Sequence, residues 1–141
     1  MLFINYVMPE IEVTDELMDE LRGLIEMDED NLYTILGYQS LGLEEKPTEL
    51  QLFGGFSITE AELMMRGKSV FSRNQQRLKE KICEDWEYCK KKGIYKEDFG
   101  LLMDALVPFV TIGLNLPAPM IVVLCVLAFK YGLNRLCECG A

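Results

Sequence analysis

Any covalent or metal chemistry in this chain has to come from its cysteines, because it contains no histidine. That absence removes the usual general base at neutral pH and the commonest nitrogen ligand for metals. Five cysteines are present. Cys83 and Cys89 flank Glu84–Tyr88, while Cys137 and Cys139 stand near the C-terminal end. Four thiolates would make a tetrahedral zinc site if the last helix returned beside the one carrying Cys83 and Cys89. The spacings argue against it, since neither pair has the gap of two to four residues typical of such sites. Six positions along a continuous helix also rotate Cys83 and Cys89 well apart. The cysteines therefore read as inert buried or terminal thiols. A catalytic cysteine would need an activating base, and no lysine is marked out for that role. The ending Cys137-Glu138-Cys139-Gly140-Ala141 does not match a prenylation box, which needs cysteine where Glu138 stands.

Two other arrangements resemble ligand motifs and fail on their spacing. Gly67-Lys68-Ser69 looks like the end of a phosphate-binding loop, but the motif needs a glycine five residues earlier, where Glu62 stands. The tripeptide also lies inside an apolar stripe of helical period, where no backbone amides are free to cradle phosphate. Gly67 reads instead as a point where a neighbouring helix comes close. Carboxylates crowd residues 10–30, among them Glu10, Glu12, Asp28, Glu29 and Asp30. A calcium loop needs alternating ligands around a central glycine, and residues 28–39 do not supply that order. No catalytic residue, cofactor or metal is expected.

Charge is the next constraint. Residues 1–62 hold 15 acidic and 2 basic side chains, and residues 63–141 hold 8 and 12. The overall −9 is thus −13 in the first part and +4 in the second. Such an acidic face repels phosphate backbones, so no nucleic-acid partner is expected. Half of the 141 residues are hydrophobic, enough for one core and too few residues for two domains. The opening MLFINYVMPEIEV lacks the basic flank and apolar stretch of a secretory signal. A cytoplasmic protein with reduced cysteines follows as the expectation.

The elements that would position these groups are mostly helical. Residues 2–7 suit a short strand or an extended arm. Thr14 is a plausible N-cap for a helix to about residue 27, with Asp15, Glu16, Asp19 and Glu20 in its opening turns and Leu17, Leu21, Leu24 and Ile25 at helical spacing. A second helix starts at Asp28 or Asp30 and is expected to end at Gly37. Residues 37–58 are irregular, with 50–53 extended; if 2–7 pairs with 50–53, a minor two-stranded ribbon results. Ser57 with Glu60 and Thr59 with Glu62 repeat the capping-box spacing. From there the stripe Met64, Gly67, Phe71, Leu78, Ile82 and Trp86 predicts one long helix to about Lys92, with Lys90, Lys91 and Lys92 against its negative end and Gly93 as the stop. A helix from about Asp98 to Leu114 carries Pro108 in its interior, and a last one runs from Pro119 to about Leu136.

Between Asp104 and Lys130 no residue is charged. Neither apolar block in this span reaches the 20 or so residues of a membrane-spanning helix, because Leu114–Pro119 divides them. A buried helical hairpin is the preferred reading, and a bilayer element the alternative. The whole is read as one mainly α domain: an irregular bundle of about five helices with an apolar C-terminal hairpin. Its parts are an acidic 1–58, a long amphipathic helix over 59–93 and the apolar 94–141. The expected function is non-enzymatic: a small adaptor or subunit that binds a protein partner or itself through its C-terminal helices and acidic face. Asp15, Glu16, Asp19, Glu20, Trp86, Pro117, Pro119 and Lys130 are the candidate contact residues. The alternative is a membrane-associated effector that inserts residues 99–136 into a bilayer, with Lys130 and Arg135 at the interface.

Overall fold

The structure, a computed structural model, describes residues 13–43, 59–95 and 98–139, and the backbone of 52–53 and 56–57. Among these residues it is a mainly helical bundle of seven α-helices.

One helix organises the rest. From Met120 to Ala128 every residue of α6 (Ala118–Tyr131) is buried. A helix that is apolar on all sides has to be enclosed. Enclosure comes from α1 (Asp15–Ile25), α2 (Glu29–Gln39), α5 (Phe99–Gly113) and α7 (Leu133–Cys137), all of which pack on it. Each fully buried leucine or isoleucine contributes roughly 1.5–3 kcal/mol. Leu21, Leu32, Leu36, Leu106, Ile121, Leu124 and Leu127 are all at or near zero exposure around this axis. Among the described residues no helix is long and apolar enough to cross a membrane.

The largest helix-to-helix interface joins α2 to α3 (Glu60–Lys79). Two glycines bring the backbones together. A Cβ on Gly37 would overlap the Leu63 carbonyl, and one on Gly67 would overlap the Tyr33 carbonyl. Gly67 thus does what its sequence context implied. Gly37 does not: α2 continues through it to Gln39, because the glycine serves close packing and not a helix stop.

Helix starts follow their local signals. The Thr14 hydroxyl accepts from the Leu17 amide (3.1 Å), and Asp28 Oδ1 accepts from the Asn31 amide (2.8 Å). Thr59 and Glu62 form a reciprocal capping box. The Thr59 backbone amide first, and its hydroxyl second, hold the Glu62 carboxyl below its ordinary pKa.

Three expectations about continuity are corrected. The predicted long helix stops being α-helical after Lys79 and passes into a π-helical turn, Glu80–Asp85, closed by Trp86 N–H donating to the Lys81 carbonyl (3.0 Å). Glu87 then takes a left-handed φ of 57° and a separate α4 (Tyr88–Tyr95) begins, so Gly93 lies inside a helix. The predicted last helix is likewise divided, by Gly132 at φ 105°, into α6 and α7. The described part of the expected ribbon, within 50–53, takes a local partner. Leu52–Phe53 (β1) instead pairs with Phe56–Ser57 (β2) in a small antiparallel hairpin. Residues 2–7 lie outside the described residues.

Candidate functional site

Asp15, Glu16, Asp19 and Glu20 are all exposed on α1, on the side away from buried Leu21 and Leu24. The acidic surface continues through Glu26, Asp28, Glu29 and Asp30, with Arg22 the one base between residues 15 and 30. At one edge of this surface lies a cleft of about 350 Å³. Glu20 contributes from α1, Gln39 from the end of α2, Gly42 and Leu43 from the segment after it, and Pro117, Pro119 and Met120 from the start of α6. Three of the sequence-predicted contact residues, Glu20, Pro117 and Pro119, thereby share one concavity.

Gln39 Nε2 donates to the Pro119 carbonyl at 3.4 Å, which turns Gln39 Oε1 into a buried position with no hydrogen-bond partner among the described residues. An orphaned buried acceptor of this kind costs about 1–3 kcal/mol until a donor reaches it. Gln39 was not singled out by sequence, because nothing local indicates that residue 119 will lie beside it, 80 positions away.

The other two predicted contact residues are occupied internally. Trp86 is 6% exposed, stacked on Tyr95 (5.5 Å between ring centroids) and tilted against Phe109 (6.3 Å), with the Lys91 ammonium over its ring. Lys130 Nζ donates to the Ile25 carbonyl at 3.0 Å. It places a cation on the last residue of α1, where the helix dipole is negative. Arg135 lies over the Tyr131 ring at 4.2 Å. Each has a structural task within the chain.

The cysteines depart furthest from expectation. Four of the five pair, Cys83 with Cys137 and Cys89 with Cys139, at Cα separations of 5.2 and 5.5 Å. The reading of these four as inert thiols is corrected. That reading rested on the pair spacings, on an expected reducing compartment and on a continuous helix; the π-helical turn with the break at Glu87 removes the last by letting Cys83 and Cys89 both reach the C-terminal segment. Cys89 Sγ lies 3.9 Å from the Cys137 carbonyl oxygen, so the two disulfides are neighbours. Among the described residues no group of histidines, cysteines or carboxylates could hold a metal ion. Cys125, the remaining cysteine, is fully buried in α6, and burial pushes its thiol up to about 12.

Fold and site together define a disulfide-stapled helical bundle with an acidic face. No protein-family model, curated protein or solved structure matches the chain.

Proposed function

We propose that the protein is a non-enzymatic interaction module whose acidic α1 face and adjoining cleft receive a basic segment of a partner protein. The observation that carries this reading is the cleft at Glu20, Gln39, Pro117, Pro119 and Met120, where an exposed carboxylate beside an apolar wall calls for a donor; the Gln39 amide oxygen is enclosed and is reached only when its side chain turns. A lysine or arginine supplies that donor, and its aliphatic stem suits Leu43, Met120 and the prolines. Carboxylates along α1 would speed the encounter and make it sensitive to salt. The apolar C-terminal helices support a partner less well, because α6 is covered by the chain itself. Large exposed hydrophobics among the described residues are scattered: Met27, Met65, Ile94, Leu101 and Ile112. The same burial weighs against insertion of 99–136 into a bilayer, which would first have to strip α6 of its neighbours. Since disulfides persist in oxidising surroundings, we place the module in such a compartment in preference to the cytoplasm.

Titration with an arginine-containing decapeptide, followed by backbone NMR, tests the reading. Shifts are expected at Glu20, Gln39, Leu43 and Met120, with affinity reduced about tenfold, or 1.4 kcal/mol, in Glu20→Gln. Shifts on α1 that leave the cleft untouched would reduce the site to a charged surface, and none at millimolar peptide would remove the reading. Shifts that depend on protein concentration alone would identify the partner as a second copy of the chain.

A further inference from the structure

We infer that Cys89–Cys139 is a thiol–disulfide exchange site, whose chemical partner is a dithiol reductant, and that its opening releases α4 from the C-terminal segment. The two disulfides differ in their surroundings. Cys83 and Cys137 are both half-buried and pack against the hydrophobic core. Cys139 also packs there, but Cys89 is exposed on the first turn of α4. The second bridge therefore has one exposed residue, whereas both residues of the first are only partly exposed, so attack is favoured at Cys89. Lys90, Lys91 and Lys92 follow Cys89 directly. Their ammonium groups are engaged elsewhere, Lys90 Nζ with Glu87 Oε2 at 3.4 Å and Lys91 Nζ over the Trp86 ring, so exposure and not local charge marks out Cys89.

A reductant thiolate attacks Cys89 Sγ, the Cys89–Cys139 bond breaks, and Cys139 departs as a thiolate that takes a proton from water. The second thiol of the reductant, deprotonated, attacks its own sulfur in the mixed disulfide and expels the Cys89 thiolate. Two electrons have passed to the protein disulfide, and the reductant leaves as its own disulfide.

What the bridge restrains is also visible. Between α4, α5 and α7 lies a cleft of about 320 Å³ lined by Tyr88, Lys92, Tyr95, Leu102, Phe129 and Leu133. The break at Glu87 gives α4 a hinge on its N-terminal side, and Cys89–Cys139 is the covalent tie just beyond it. With that tie open and Cys83–Cys137 intact, α4 can move about the hinge while α7 stays docked.

Two measurements decide the matter. Protein recovered from its host with thiols trapped at lysis, then denatured, should label at Cys125 alone until it is reduced. Labelling of all five cysteines without reductant would overturn the inference. Purified oxidised protein is then titrated with dithiothreitol and peptide-mapped. Cys89 and Cys139 should label first, and at that stage amides of 88–95 should exchange with deuterium about tenfold faster while those of 120–128 do not change. Simultaneous reduction of both bridges, prior reduction of Cys83–Cys137, or unchanged exchange in 88–95 would each overturn it. Cys89→Ser/Cys139→Ser, which keeps the inner bridge, should show the fast exchange without any reductant.

Discussion

Trp86 ties the π-helical turn to α4 and α5. It closes the π-helical turn through its amide, stacks on Tyr95, meets Phe109 and lies under Lys91. Trp86→Ala should cost about 3–5 kcal/mol in a urea titration, as large-to-small core changes do. A loss below about 0.5 kcal/mol would place the side chain in solvent. Features of this kind were readable in the sequence where their cause is local. The caps at Thr14, Asp28 and Thr59 depend on residues three positions away, and the stripe through Phe71, Leu78, Ile82 and Trp86 on helical period alone. Gln39 and the cysteine pairs were not readable, because their partners come from distant segments.

At the scale of elements, the informative object is α7, five residues held from several sides. Two disulfides tie its end to the π-helical turn and to α4, and Lys79 Nζ meets Glu138 Oε2 at 2.8 Å. The hydrogen bond and charge of Lys79 hold the Glu138 carboxyl below its ordinary 4.5, and Glu138 raises Lys79 in turn. A lowered carboxyl pKa stabilises above the unfolded value and loses that effect as pH falls through the folded one. The difference in thermal midpoint between the native chain and Glu138→Gln should therefore be present at neutral pH and be lost as pH falls below the ordinary carboxyl value and through the lowered folded one. The bridges should act non-additively. In the chain-entropy model either alone closes a loop of about 50 residues, worth about 4 kcal/mol, while the second added to the first closes only a short ring, worth about 2.5 kcal/mol. Removing one pair by cysteine-to-serine change should thus cost about 2.5 kcal/mol and removing both about 6–7 kcal/mol, more than twice as much. Denaturant midpoints of the three variants check this. The sequence did not show α7 as a separate element, since Gly132 sits in an apolar pattern that continues on both sides of it.

For the whole molecule, the uncharged run between Asp104 and Lys130 was the strongest signal available; it contains the buried stretch 120–128, but also exposed residues at 112, 115 and 117–119. It could not say what would cover that run. Apolarity on all faces is common to a bundle axis and a bilayer segment, and only the arrangement of α1, α2, α5 and α7 supplies the cover. The acidic face was legible because charge needs no partner to be seen, whereas the cleft beside it exists only once α2 and α6 have met. The position of α6 in chain order has its own consequence for biosynthesis. Translation delivers α1 about 100 residues ahead of the helix it packs on, an interval of roughly 5–20 s at ordinary elongation rates. During it α2 and α3 can join through their glycines, while α1 waits first for α5 and then for α6, the helices it packs on. A transcript cut before the codons for Ala118 would produce helices without an axis, and quality control would be expected to clear that product and spare the longer one.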